Sequence, residues 1–448
     1  MTLTFAEDEL RDLFRGVQPA NQAYAAEFPG DNGARQPVHT VYGGAHLFRA
    51  ETTRSLGTLA LRSLAEFGDD PDQFAETLGV PAAIAREVYE RVQRKLEREA
   101  VEDFRIDFED GYGSRPDAEE DQHAIQAATE VTRGSVAGLL PPFIGIRIKP
   151  FTEALIARSV RTLDLFLSAL IDQLDGPLPG GFAITLPKIT SPEQVTALVV
   201  LLERFEGARR LRAGSLAIEL MIETTQSIFD GEGRVAIPKL VRAARGRCRG
   251  AHFGVYDYTA ACEITADYQS MVHPACDFAR DVMQVSLAGR GVMLSDGATN
   301  VMPIAPHRGE TLTGVQTEEN RRVVRRAWKM HFDQVQRSLL RGFYQGWDLH
   351  PAQLPTHYAA VFAFFLQSLP SASARLKNFV EKAAQATLVG DVFDDAATGQ
   401  GLLNFFLRGL NCGALTEEEA LGTGLTHEDL RTRSFVKILE ARRTQTRE

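Results

Sequence analysis

Eight short apolar runs, each followed by a stretch of helical periodicity, restrict this chain more than any other feature. They are VHTVY at 38–42, DFRIDF at 103–108, FIGIRI at 143–148, FAITL at 182–186, AIELMI at 217–222, AHFGV at 251–255, GVML at 291–294 and the segment ending WDLH at 347–350. Strands alternating with helices predict βα units and a parallel sheet, and eight such units close a (β/α)8 barrel. AIELMI and AHFGV are nearly continuous apolar runs, as expected of strands covered on both faces. Between the first and second strands, residues 51–100 carry ALRSLAEF and AREVYERVQRKLERE, which predict a helical insertion longer than a plain crossover. After Pro355 the pattern is helical without strands, through FVEKAAQ and LLNFFLRGL. The expected organisation is therefore a barrel over 1–354 and a helical C-terminal extension over 355–448 that could act as a lid. Leu402, Phe405 and Phe406 are expected to be exposed on that extension and to pack against a partner subunit in a homo-oligomer.

Composition narrows the function classes. A 448-residue chain with 44% hydrophobic residues can bury a large core. Its net charge of −10 argues against nucleic acid, which calls for a basic face. The longest apolar runs, VTALVVLL at 195–202 and AAVFAFFL at 359–366, fall well short of the ~20 residues of a membrane helix, so no membrane partner is expected. The opening MTLTFAEDEL is acidic and lacks a signal pattern. Cys248, Cys262, Cys276 and Cys412 have no CxxC spacing, which favours small apolar fillers in a reducing cytoplasm over zinc or disulfides. Arg321, Arg322, Arg325, Arg326 and Lys329 form a basic strip on one helical side, better suited to surface salt bridges than to a phosphorylated ligand.

Chemistry concentrates at the ends of strands. IELMIET at 218–224 and AHFGVYDYT at 251–259 each deliver a carboxylate, Glu223 and Asp257, where a buried parallel strand finishes. In α/β barrels that end faces the active site. Two carboxylates leave positions open for waters and substrate oxygens, the arrangement Mg²⁺ prefers, with Mn²⁺ as the alternative. The plainer reading, that each acid caps the following helix, applies to either alone. Gly43 and Gly44 could let backbone N–H groups approach a phosphate, although a Gly-Gly pair more often marks a turn.

Seven short motifs then occur in one order. RIDFEDGYG at 105–113 resembles the second-strand motif of citrate lyase β-subunits and malyl-CoA lyases; GIRIKPF at 145–151 resembles their arginine strand and TLPKI at 185–189 their proline-lysine strand. IELMIET and FGVYDYT resemble the metal glutamate and aspartate motifs, GVMLSDG at 291–297 the seventh strand, and GFYQGWDLHPAQL at 342–354 the closing motif. The chain thus resembles the HpcH/HpaI aldolase and citrate lyase superfamily over 105–354. DFEDGYG lacks the histidine of the HpaI branch, which favours the citrate-lyase-like branch. TVYGGAHLF at 40–48 replaces the family's serine- and proline-containing phosphate-contact loop, so use of a coenzyme A thioester stays open.

The resemblance implies a TIM barrel of the phosphoenolpyruvate/pyruvate type and a Mg²⁺-dependent carbon–carbon lyase acting on a small carboxylic or 2-oxo acid through an enolate. Glu223 and Asp257 would hold the ion, and Arg147 would bind a substrate carboxylate through its planar fork unless it forms an ion pair with Asp107, Glu109 or Asp110. Glu109 and Asp110 would line the site and move a proton, and Lys188 would add positive charge or close a salt bridge. His350 reads as a structural hydrogen-bonding residue. The acidic turn in VGDVFDDAATGQGLLNFF at 389–406 makes Asp391, Asp394 or Asp395 candidates for a catalytic lid aspartate. Two other readings of the barrel are a phosphoenolpyruvate- or pyruvate-handling phosphotransferase or hydrolase and a non-catalytic binding subunit.

Overall fold

In a computed structural model of the chain, residues 5, 7–30, 34–309, 311–381, 387–389, 392–394, 396–432, 434, 435, 437 and 438 are described. All eight apolar runs form strands: β1 (His39–Gly44), β2 (Asp103–Asp107), β3 (Phe143–Arg147), β4 (Ala183–Leu186), β5 (Ala217–Ile222), β6 (Cys248–Phe253), β7 (Met293–Ala298) and β8 (Gln345–Asp348). Each pairs in parallel with the next, and β8 returns to β1 with Gly346 opposite His39, closing a (β/α)8 barrel. Two edges differ from expectation. β6 starts at Cys248 and stops at Phe253 because Val255 already begins the helix Val255–Ala261, and β7 continues past Leu294 through Ala298.

The link from β1 to β2 is built from helices Thr52–Phe67, Pro71–Leu78 and Ala82–Glu99. Local chemistry sets their boundaries. The Asp70 carboxylate accepts the Gln73 N–H at 2.9 Å, Pro71 needs no donor at the first turn, and Gly79 ends the helix in the left-handed region at φ 77°.

The chain after β8 begins with the helix that completes the eighth βα unit. Leu354–Glu381 packs between Gly314–Leu340 and Ala82–Glu99, burying Tyr358, Phe362, Phe365 and Leu376. Helix Ala396–Asn411 then packs on it. The expectation that Leu402, Phe405 and Phe406 are exposed is corrected here. Leu402 and Phe406 are buried, and the Phe405 ring is half-buried with its centroid 5.2 Å from Phe365, because the helix turns its apolar stripe onto its own chain. Arg91 ties the next segment down through the Ala414 carbonyl and Glu419 at 2.8 Å. Among the described residues no helix is long and apolar enough to cross a membrane.

Candidate active site at the C-terminal mouth of the barrel

Asp107 and Arg147 are the last residues of β2 and β3 and stand opposite each other in the ladder. The Arg147 guanidinium donates from Nε at 2.7 Å and Nη2 at 2.5 Å to the two oxygens of Asp107. Those oxygens also accept the N–H groups of Glu109 at 3.0 Å and Gly111 at 2.7 Å, which folds the FEDGYG turn over the strand end. The Tyr42 ring from β1 lies beneath the guanidinium, 4.7 Å from its carbon. The donors left to meet an incoming anion are the second N–H of Nη2 and those of Nη1, the latter nitrogen already 3.3 Å from Glu109 Oε2.

Lys188 follows β4 in a left-handed conformation, φ 49°. Its backbone N–H donates to Glu223 Oε1 at 2.6 Å. Its ammonium reaches across the mouth to bond Glu109, lies 3.2 Å from both Asp110 oxygens, and is 3.4 Å from Asp257 Oδ2. One lysine thus connects the loops after β2, β4, β5 and β6.

Glu223 follows β5 and is 1% exposed. It caps no helix: Thr224 does, accepting the Ser227 N–H at 3.0 Å. Room for its carboxylate depends on Gly254, where a Cβ would stand 2.4 Å from Glu223 Oε2. Asp257 lies in the first turn of Val255–Ala261, where the helix dipole favours an acid. Gly44 marks a second close approach, since a Cβ there would meet the Gly111 carbonyl at 2.4 Å, so this glycine packs the first loop onto the second.

Electrostatics set this mouth apart. Burial, then the neighbouring charge of Asp257, pushes the Glu223 carboxyl up to about 8. Burial also lifts Glu109 to about 7, whereas Asp110, despite its burial, is held low by a hydrogen bond with Glu109 and by the charges of Arg147 and Lys188. Despite burial, the acids around them raise Arg147 and Lys188. With Asp107 and Arg147 paired to each other, the four remaining carboxylates, Glu109, Asp110, Glu223 and Asp257, face one further cation, Lys188. A hard divalent cation fits that excess of oxygen donors and negative charge.

Other expected residues lie elsewhere or do other work. The His350 side chain accepts the Ala352 N–H at 3.2 Å and caps the short helix Pro351–Gln353. Asp296, the aspartate of GVMLSDG, is held by Arg280 Nε at 2.8 Å and Ser338 Oγ at 2.6 Å. In the basic strip, Arg325 bonds the Phe67 carbonyl and Gln73, and Lys329 bonds Asp333. Asp391 and Asp395 lie outside the described residues, and Asp394 is described only as the end of a short strand, Val392–Asp394, paired with Thr387–Val389.

Sequence reasoning missed the charged lumen below the mouth. Arg105 on β2 spans the barrel to Glu219 on β5, at 2.9 and 2.7 Å, and Thr185 and Arg249 also bond Glu219. Above them, His252 Nδ1 lies 3.4 Å from the Tyr42 hydroxyl and 3.3 Å from Trp347 Nε1. The signal was present: DFRID alternates charged and apolar residues, which directs Asp103, Arg105 and Asp107 to one face.

A second cluster lies at the join of β1 and β8 with the outer helices. Asp348 is 2.8 Å from His39 Nδ1, 3.1 Å from His331 Nε2 and 3.1 Å from His357 Nδ1, all buried. Burial would raise this carboxyl, but the three imidazoles hold it well below the usual range. Ligand atoms of His39, Asp348 and His357 lie within 4.8 Å of one another, a spacing open to a metal. Tautomer chemistry argues against one. His39 Nε2 accepts the Glu102 N–H at 3.1 Å, which leaves the ring proton on Nδ1, where a metal needs a lone pair. The Nδ1 contact with Asp348 is too oblique for a linear hydrogen bond, so it acts as a close polar contact.

A citrate lyase from Burkholderia xenovorans shares this fold, with a TM-score of 0.57 and 18% identity over 88% of this chain and 97% of that one. Malate synthase from Haloferax volcanii in its magnesium/glyoxylate complex overlaps more weakly, with a TM-score of 0.44 and 13% identity over 90% of this chain and 96% of that one. No curated protein matches the sequence. Residues 17–438 match the family described as a domain of unknown function, DUF6986, and the chain belongs to that family.

Proposed function

We propose that the barrel mouth is the active site of a divalent-cation-dependent carbon–carbon lyase of the HpcH/HpaI and citrate lyase kind, in the citrate-lyase-like branch. Its substrate would be a small carboxylic or 2-oxo acid, free or as a coenzyme A thioester. The observation that carries this reading is Glu223, a carboxylate 1% exposed, facing Asp257, in a space kept open by Gly254. An acid buried beside another acid is costly unless a cation joins them.

Glu223 and Asp257 would hold Mg²⁺ or Mn²⁺. When bound, the ion supplies Lewis-acid polarisation of a substrate carbonyl. The chain's own groups do the rest. Arg147 Nη1 donates to the substrate carboxylate, while Asp107 and the Tyr42 ring keep the guanidinium from turning. Glu109, lifted to about 7, is suited to take the proton of a substrate hydroxyl at neutral pH as the carbon–carbon bond breaks and its electron pair passes into an enolate. The same carboxyl can return that proton to the enolate carbon. Asp391 in the C-terminal segment is an alternative proton carrier, and we assign that segment a lid role over a homo-oligomeric enzyme.

The test is incubation with Mg²⁺ and a panel of hydroxy acids and their thioesters, with products followed by NMR. Metal-dependent release of a 2-oxo acid or an acetyl thioester supports the reading. Release of phosphate from phosphoenolpyruvate in place of these products would establish the phosphotransferase or hydrolase alternative, and failure to bind metal would favour a binding protein.

A further inference from the structure

Lys188 has a backbone and a side chain that serve different ends. The backbone is pinned: a non-glycine residue at φ 49° is uncommon and strained, and it is held here while its N–H donates to Glu223 Oε1 at 2.6 Å. The side chain is 29% exposed and ends in an ammonium bonded to Glu109, 3.2 Å from Asp110 and 3.4 Å from Asp257 Oδ2. That ammonium stands among the acids that would otherwise face a cation. An ammonium is a compact point charge on a flexible stem, able to swing without moving its Cα.

We infer that Lys188 is a tethered counter-ion, which occupies the acidic mouth when no divalent cation is bound and must withdraw its ammonium from Asp257 for one to enter. The inference rests on the metal reading above and adds to it. The anchored backbone keeps Glu223 oriented in both states, and the swinging ammonium prevents four acids from facing one another unneutralised. A divalent ion seated against Asp257 would repel the ammonium at a few ångströms, and the partly exposed side chain gives it a route toward solvent.

The experiment is Mn²⁺ binding followed by electron paramagnetic resonance at fixed pH and ionic strength, on the full chain, for the parent, Lys188→Met and Lys188→Arg. Lys188→Met should bind Mn²⁺ at least about tenfold more tightly because it removes the competing charge. Lys188→Arg should bind no more tightly than the parent. Equal or weaker binding by folded Lys188→Met overturns the inference. A measurement on the parent alone covers the case in which the variants do not fold: reductive methylation of Lys188, read by mass spectrometry, should rise several-fold when Mn²⁺ saturates the protein, and unchanged or reduced labelling also overturns it. If parent and variants all bind no Mn²⁺, the metal reading itself fails, which is a distinct result.

Discussion

At Asp348 three imidazoles surround one carboxylate, whereas at the barrel mouth two cations serve five carboxylates. The first set joins β1 and β8 to two outer helices, and the second is drawn from strand ends and the loops that follow them. The first holds its acid well below the usual range, and the second lifts Glu223 to about 8 and Glu109 to about 7. Buried charge matched by partners within the chain is part of the scaffold. Buried charge left short of partners is poised for something that arrives from outside.

Removing Asp348 should have the largest effect. Asp348→Ala strands three buried imidazoles, and each buried donor left without its acceptor costs about 1–3 kcal/mol. Urea unfolding should show that loss, and a change below about 1 kcal/mol would break the contrast between the two regions. Glu223→Gln and Asp257→Asn should behave in the opposite way. Each removes an acid that its neighbours repel or strand, so stability should hold or rise, while Mg²⁺ affinity falls on the order of 100-fold, about 2.7 kcal/mol, on losing a charged ligand oxygen. Calorimetry decides this, and unchanged affinity in both variants would remove the basis of the proposed function.

Arg147→Lys should fall between these extremes. An ammonium lacks the planar fork that grips both Asp107 oxygens in parallel hydrogen bonds and aims its remaining donors outward, so substrate carboxylate affinity should drop by roughly 1.5–3 kcal/mol while metal binding persists. Pyruvate or oxaloacetate titrations would show whether the two affinities separate. The remaining predictions concern pH. Glu223 has its folded value raised above the ordinary 4.5, so the folded state binds more protons between about 4.5 and 8, and its contribution to stability is lost as pH climbs through that window. His331 is lowered by burial, so the unfolded chain takes up a proton near the usual 6.5 that the folded chain refuses, and stability is lost as pH falls below that value. Unfolding free energies across pH 5–9 should show both slopes, and saturating Mg²⁺ should flatten the alkaline one alone.

Much of the architecture was legible because the eight apolar runs leave few ways to bury them. The shifts in β6 and β7 were not, since where a strand stops depends on its neighbour's register and on the helix start at Val255. The apolar stripe of Leu402 and Phe406 was visible, but not which surface covers it. That surface turned out to be the chain's own helix Leu354–Glu381.

The candidate site divides in the same way. The order of the chain alone determined that Glu109, Asp110, Arg147, Lys188, Glu223 and Asp257 lie at or just after the ends of successive strands, because a parallel barrel must place all such ends at one side. Only the tertiary structure decided how they meet. Barrel closure sets Asp107 beside Arg147 and occupies one edge of the guanidinium fork, the left-handed turn at Lys188 sends its ammonium to Asp257, and the missing Cβ of Gly254 makes room for Glu223. Each of these is a relation of a few ångströms between residues tens of positions apart, which local patterning does not encode.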